Sequence, residues 1–369
     1  MKKIKIGIIG TGVGIRTHLK GFRSFKLENQ AEVVAICGSS YARSQEFAKQ
    51  YGIPVACSDY EELCSNPEID LVCVTPPNRF HLNAVKCAIK YNKHIICEKP
   101  LSDDLAEAEE LAQIVKTYPK IAVVDHQLRY NPYVEKIKEF IENGTIGQIY
   151  YIRLNQQGTG FAKEDAPWIW SFDGTQGGGV RLAMASHFTD LIQYWFNNPK
   201  ILNVTGYLNP VTKQRKNSNG VITDVTASTI CTAQIGFSNE LCAQYYINAG
   251  SYEGSRFDVT IFGDKGEIRY SLDKKLEVYY RDSVSRKVVI DVPNVFEDER
   301  QNTISIFSGS FRYFAPMIIK AIRDNDYSYI SKSANFNDAL YNLKLLNAIQ
   351  KSANTGQAVV FDKEVNTYV

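Results

Sequence analysis

Residues 3–126 alternate short β-branched apolar runs with amphipathic stretches, and this alternation limits the possible fold more than any other feature of the chain. "KIKIGIIG" (3–10), "EVVAICG" (32–38), "IDLVCVT" (69–75), "KHIICE" (93–98) and "IAVVDH" (121–126) lack the strict apolar–polar alternation of a half-exposed strand. Runs of this kind belong to strands covered on both faces, as in a parallel sheet flanked by helices. Between them, "YARSQEFAKQYG" (41–52) and "DDLAEAEELAQIVKTY" (103–118) carry helical periodicity. Repeated βαβ units predict an α/β fold, with a doubly wound parallel sheet over residues 1–125.

From residue 131 the pattern changes. "NPYVEKIKEFIENG" (131–144) reads as a capped helix, with Asn131 at the N-cap, Pro132 at the first helical position and Gly144 beyond the end. "IGQIYYIRLNQQ", "VTASTICTAQIGF", "ELCAQYYINAG" and "RFDVTIFGDKGEIRY" then alternate, with "GDKG" (263–266) as a hairpin turn. Alternation marks strands with one face on a core and one in water. Residues 126–330 are therefore predicted as an α+β domain with a large, mostly antiparallel open sheet. Helices are expected near 309–324 and 336–352, and residues 331–369 as a helical tail packing back on the first domain. An open sheet face of that size is usually covered by another copy, which predicts a homo-oligomer, dimer or tetramer.

Composition excludes several partners. The 42 basic and 40 acidic side chains nearly cancel, and the one dense basic run, "KQRK" (213–216) followed by "NSNG", reads as a solvated loop. Neither a nucleic-acid footprint nor a membrane-surface patch is expected. No segment approaches the roughly 20 apolar residues of a membrane helix, and the N-terminal run is broken by glycines too early for a signal peptide. Eight cysteines without a CxxC, mostly inside apolar runs, read as reduced core residues of a cytoplasmic protein. The five histidines never pair at ligand spacing, so no metal site is predicted.

The glycines of "IGIIGTGVGIRTHLKGF" follow the first strand and open a helix. Gly10 permits a tight turn and Gly12 lets the backbone approach a pyrophosphate. Gly14 begins a helix whose N–H groups and dipole favour an anion. With Thr11 and Val13 between them, these residues are predicted to bind a dinucleotide, although the spacing is GxGxG rather than GxGxxG. At the end of the second strand an acid normally holds the ribose 2′-OH, and "ICGSSYARS" has none. Ser39, Ser40 and Arg43 suit a 2′-phosphate instead, which makes NADP the preferred cofactor and NAD the alternative; a solvated Arg43 would look the same. "VTPPNRFHLNAV" (74–85) ends another strand at the crevice rim. Thr75, Pro76 and Asn78 are expected to line the nicotinamide ribose, with His81 either joining them or capping and packing its helix.

"CEKPLS" (97–102) places Glu98 and Lys99 at the C-terminal end of a parallel strand, where such sheets bind ligands. Pro100 forces Lys99 towards an extended or turn conformation and admits a cis bond. A partly desolvated lysine beside a cationic nicotinamide has a lowered pKa suited to acid–base work. Taken alone, the two residues read first as a surface ion pair.

In order, "GIIGTGVGIRTHL", "VTPPNRFH", "NKHIICEKP", "LRYNP" and the segment running from "GGG" (177–179) through His187 to Asp190 resemble the glucose–fructose oxidoreductase/inositol dehydrogenase (Gfo/Idh/MocA) family over most of the chain. The resemblance implies an N-terminal Rossmann domain, a C-terminal α/β domain with an open sheet, and NAD(P)-linked oxidation or reduction of a sugar, sugar derivative or cyclitol. It also implies that Lys99 touches both cofactor and substrate, and that His187 is the family's histidine. Family dehydrogenases usually carry Asp four residues before that histidine. Here the place is Ala183, and Arg181 stands where a small or apolar residue is expected.

Lys99 and His187 are thus the predicted acid–base pair. Asp190 shares a helix face with His187 and either orients its ring or makes a structural contact. Arg129 and Tyr130 of "DHQLRYNP" (125–132) are expected near the cleft, Arg129 binding a substrate anion or fixing the domain junction. Trp168 and Trp170 of "DAPWIWSFDGTQGGG" (165–179) offer ring faces to a sugar or simply pack. Arg181 joins these substrate-side residues. Two other readings stay open: an NAD-dependent glycoside hydrolase of the same family, and a non-catalytic nucleotide-sensing or interaction protein.

Overall fold

The computed structural model describes residues 2–362 except 25–26, 164, 253, 272–274, 282–286 and 291–305; the end of the predicted tail, 363–369, lies outside the described residues. The first half is a strand–helix repeat. It runs β1 (Ile4–Ile9), a π-helical turn (Gly14–Leu19), α1 (Lys20–Phe22), β2 (Ala31–Cys37), α2 (Tyr41–Tyr51), β3 (Val55–Cys57) and α3 (Tyr60–Ser65). It continues with β4 (Leu71–Val74), α4 (His81–Lys90), β5 (His94–Cys97), α5 (Leu105–Val115) and β6 (Ala122–Val124). Next come α6 (Pro132–Glu142), β7 (Ile149–Gln157), a second π-helical turn (Arg181–Ala185), α7 (Ser186–Phe196) and β8 (Ile201–Asn209). The remaining strands are β9 (Gln214–Lys216), β10 (Ile222–Asp224), β11 (Ile230–Phe237), β12 (Cys242–Asn248), β13 (Arg256–Gly263), β14 (Gly266–Ser271), β15 (Lys275–Tyr280) and β16 (Lys287–Ile290). Helices α8 (Ile306–Asp324) and α9 (Phe336–Thr355) and strand β17 (Val359–Val360) close the chain.

Two compact units result. The first comprises Met1–Asn131 and Phe296–Leu340, the second Pro132–Val295 and Tyr341–Val369. In the first, six strands in the order β3-β2-β1-β4-β5-β6 pair in parallel throughout. The order reverses between β1 and β4, and loops at such a switch point form the crevice where doubly wound sheets bind ligands. Burial explains the apolar runs: Ile6, Ile8, Ile36, Leu71, Cys73 and Ile96 have no exposed surface. β3 left no comparable sequence signal, being three residues long with Val55 exposed. Helix α8 belongs to this unit because its apolar face, Phe311, Phe314, Ile318 and Ile319, packs into the same core as Ile15, Leu19, Phe22 and Tyr130. Phe311 meets Phe22 edge-on at 5.5 Å between ring centroids, and Phe314 lies 4.9 Å from Tyr130.

The second unit is built on a nine-stranded sheet in the order β16-β15-β14-β13-β7-β12-β11-β8-β17. Among the described residues of this sheet, β7 and β12 pair in parallel and the other pairs are antiparallel. "GDKG" closes the β13–β14 hairpin, with Gly263 opposite Gly266. Helices cover one face: Phe188 of α7 meets Tyr245 and Phe257, and Tyr133 of α6 stacks on Tyr270. Tyr150, Tyr207 and Tyr246 are exposed on sheet strands. The "KQRK" run corrects the sequence expectation. Its last three residues form strand β9, paired with β10, and Arg215 is buried rather than solvated. All eight cysteines are free, and all but Cys242 are buried. Among the described residues no helix is long and apolar enough to cross a membrane.

Replacing Phe311 by Ala removes a fully buried ring from the α8 contact. The expected cost is about 3–5 kcal/mol of stability, read from urea unfolding of the full chain.

Candidate active site

In the first unit, the turn after β1 is shaped by contact with the end of β4. Gly10 has φ +106°, and a Cβ there would lie 2.5 Å from the Thr75 carbonyl oxygen, so only glycine fits. The Thr75 hydroxyl, in turn, donates to the Ile9 carbonyl at 2.7 Å. Gly12 is the opposite case. It is exposed, and a Cβ there would meet no protein atom within 4 Å. Gly12 therefore serves something outside the chain's own packing, and a dinucleotide pyrophosphate fits that open backbone. Thr11 and Val13 flank it, half-buried.

The end of β2 comes to the same turn. Ser40 caps α2, accepting the Arg43 N–H at 3.3 Å, while Arg43 Nε donates to the Thr11 hydroxyl at 2.8 Å. The guanidinium lies 5.0 Å over the Phe47 ring, and Ser39, Ser40 and Arg43 are all exposed. These residues thus join the glycine turn in one surface able to face a ribose phosphate.

His81 takes the packing role of the two left open. It is fully buried, with Nε2 3.0 Å from the Pro76 carbonyl and Nδ1 3.1 and 3.2 Å from those of Pro100 and Leu101. Burial lowers its proton affinity. His81 therefore ties the rim carrying Pro76 and the buried Asn78 to the turn after Lys99. The Lys99–Pro100 bond is cis.

Glu98 is buried and Lys99 half-buried. Beneath them lies a group the sequence reading missed. His18, delivered by the first π turn, hydrogen-bonds Glu98 Oε1 through Nε2 at 3.1 Å, and the same nitrogen is 3.1 Å from Asp125 Oδ2. Burial opposes a charge on His18, but contacts with Asp125, Cys73 and Glu98 outweigh it and raise its pKa well above the usual value. Burial, with Glu98 alongside, pushes Asp125 up to about 6 despite His18. Burial would raise Glu98 as well, yet His18 and Lys99 bring it below the ordinary range. Lys99 is lowered by burial, against the pull of Glu98 and Asp125. A cluster of buried, mutually perturbed groups at strand ends is a functional-site signature.

Arg129 and Tyr130 are committed within this unit. Arg129 is buried and pairs with Asp338 at 3.1 Å, donating also to the Lys332 carbonyl. The Tyr130 hydroxyl is 2.6 Å from that of Ser333.

In the second unit, the tryptophan loop is held by the hairpin of β9 and β10. The Arg215 guanidinium donates to the carbonyls of Phe161, Lys163 and Ala166 and lies 4.6 Å over the Phe172 ring. Trp168 Nε1 donates to the Asp224 carbonyl at 3.0 Å, whereas Trp170 is exposed. The three glycines 177–179 then lead into the π turn Arg181–Ala185 and α7, which begins with Ser186 and His187. His187 and Asp190 are both buried, three residues apart on α7, and Ala183 is half-buried. Arg181 is tied to α9, donating to the Leu346 carbonyl and the Asn347 side chain, each at 3.2 Å. Arg215 gave no sequence signal beyond its place in a basic run.

Residues 4–126 match the family described as "Oxidoreductase family, NAD-binding Rossmann fold", and residues 138–361 match its C-terminal alpha/beta domain. The chain belongs to this oxidoreductase family. A Xenopus laevis protein named glucose-fructose oxidoreductase domain-containing protein 2 is 25% identical, covering 95% of this chain and 92% of the relative. Myo-inositol 2-dehydrogenase of Thermotoga maritima is 29% identical, covering 52% and 54%. Levoglucosan dehydrogenase, solved with NADH and L-sorbose, superposes with a TM-score of 0.84 at 22% identity, covering 98% and 99%. As a family member, the chain is an NAD(P)-dependent oxidoreductase, and the open backbone at Gly12 suits that cofactor.

Because a Cβ at Gly12 meets nothing inside the protein, Gly12→Ala is expected to leave stability within about 0.5 kcal/mol. The same change should weaken nicotinamide dinucleotide binding at least about tenfold, roughly 1.4 kcal/mol. Thermal unfolding and fluorescence titration of one sample check both.

Proposed function

We propose that this oxidoreductase acts on a hydroxyl or carbonyl of a sugar, sugar derivative or cyclitol, prefers NADP, and uses Lys99 and His187 as its acid–base groups. The observation that carries the reading is Lys99, a half-buried amine at the end of β5 whose proton affinity burial lowers. Bound nicotinamide supplies the hydride chemistry; the chain supplies proton handling and orientation. In the oxidative direction Lys99, as the free amine, takes the proton of the substrate hydroxyl. In the reductive direction its ammonium returns that proton to the new alkoxide. Desolvation leaves more of this lysine in the amine form near neutral pH than an ordinary lysine would hold. His187 is assigned to the same oxygen as second donor or acceptor, with Asp190 orienting its ring.

The substrate class follows the relatives, whose names include inositol, glucoside and levoglucosan dehydrogenases. Trp170, exposed on its loop, is proposed to cover the apolar face of a ring, with Trp168 fixed beside it. The preference for NADP rests on Ser39, Ser40 and Arg43 and on the lack of an acid there. The exposed tyrosines of the sheet are assigned to contact with a second copy of the chain. A non-catalytic sensing role is the second reading, and Ala183, in the place of the usual acid, is what favours it.

Titration of nucleotide-stripped protein with NADPH and NADH in parallel tests the cofactor assignment. Tighter NADPH binding is expected, and Arg43→Ala should weaken it about 10–100-fold, as for a lost charged hydrogen bond, with little effect on NADH. Tighter NADH binding overturns the NADP preference alone. On a panel of sugars and cyclitols, Lys99→Met should lower kcat/KM about 10²–10⁴-fold; unchanged activity removes Lys99 from the acid–base role, and no turnover of any panel member by the wild type supports the non-catalytic reading. For wild type, kcat/KM of oxidation should rise with pH through an inflection below the roughly 10.4 of an ordinary lysine.

A further inference from the structure

The carboxylates beneath Lys99 are charged groups without solvent. Glu98 is 6% exposed, and His18 and Asp125 are not exposed at all. The Asp125 oxygens find no hydrogen-bond donor among the described residues, and a buried carboxylate in that state needs a cation or a proton. His18 Nε2, 3.1 Å from both carboxylates, is placed to be that cation. Glu98 uses its other oxygen, Oε2, to accept the backbone N–H of Lys99 at 3.2 Å. A continuous set of contacts thus links His18 to the lysine through one carboxylate.

The remaining titratable neighbours carry little charge to this point. Cys73 on β4 faces His18, and Cys97 on β5 faces Glu98 and Asp125; burial keeps both thiols protonated. His126, beside Lys99, is pushed well below its ordinary pKa by burial, Arg129 and Lys99, and stays neutral. Arg129 is paired with Asp338. From α8, the Phe311 ring covers His18 at 4.3 Å between centroids.

We propose that His18 is the fixed cation of this cluster and a positioning residue for Lys99. As an imidazolium it cancels one of the two carboxylate charges, leaves one for the Lys99 ammonium, and holds Glu98 where it fixes the Lys99 backbone. The proposal rests on Lys99 being the acid–base group. Without the charge on His18, Lys99 faces up to one more negative charge, binds its proton more tightly and offers less free amine.

Two titrations test this, and neither needs turnover. The chain has five histidines, few enough for long-range proton–nitrogen spectra to resolve each ring. At about pH 8, where an ordinary histidine of pKa about 6.5 is neutral, His18 is expected to show two protonated ring nitrogens, its signal assigned by loss in His18→Gln. A neutral His18 at that pH overturns the proposal, and this measurement uses the unaltered chain. The second titration follows Lys99 as carbon-labelled dimethyl-lysine, assigned with Lys99→Arg. His18→Gln retains a donor for Glu98 but no charge. It is expected to raise the Lys99 midpoint by about one unit, or tenfold less free amine at a given pH, while Asp125→Asn lowers it. A purely structural hydrogen bond predicts a wild-type midpoint in His18→Gln, and that result, or a fall, overturns the proposal. Failure of the oxidoreductase reading would appear instead as absent hydride transfer with both titrations as expected.

Discussion

Two carboxylates buried side by side at the ends of neighbouring parallel strands require a positive charge, and the fold brings one from the segment after β1. Strands β5 and β6 are in register with Cys97 opposite Val124, so the next residues, Glu98 and Asp125, must leave the sheet together. Desolvation makes that juxtaposition costly unless it is compensated. Compensation comes from His18, whose ring is sealed from above by Phe311. The charged contacts join the turn after β1 to the ends of β5 and β6, and α8 adds an apolar cover through Phe311.

Much of this architecture was legible in the chain. The buried strands β1, β2, β4, β5 and β6 announced themselves as β-branched runs, and the helices α2, α5 and α6 fell within a few residues of expectation. β3 and the β9–β10 hairpin were too short for any period to register. The glycine turn was readable because its shape is local. Gly10, Thr11 and Gly12 are consecutive, and their roles follow from backbone shape. His18 and Glu98, by contrast, are 80 residues apart, and no spacing rule links them. Only the strand register reveals that Asp125 stands next to Glu98.

The second unit shows the same division. His187 stood out in the sequence because a glycine run leads to it, whereas Arg215, which holds the tryptophan loop, was hidden inside a basic run. Its burial reverses the usual reading of such a run, since the guanidinium donates to the backbone carbonyls of Phe161, Lys163 and Ala166. Arg181 is similar: an unexpected cation in the sequence turns out to be bonded to a helix carbonyl and an amide. In both cases main-chain carbonyls are among the partners, and composition is blind to them.

Both histidines at the centre of this account are delivered by π turns, Gly14–Leu19 and Arg181–Ala185. A π turn is in effect an α-helix carrying one surplus residue. Removing that residue would let the ordinary hydrogen-bond ladder re-form, so the helix itself would survive. Everything on one side of the change would, however, swing by about 100° relative to the other, the angle between successive α-helical residues. These two segments therefore tolerate a change of side chain far better than a change of length. Their history should be one of substitution, as Ala183 and Arg181 suggest, with insertions and deletions confined to the loops around them.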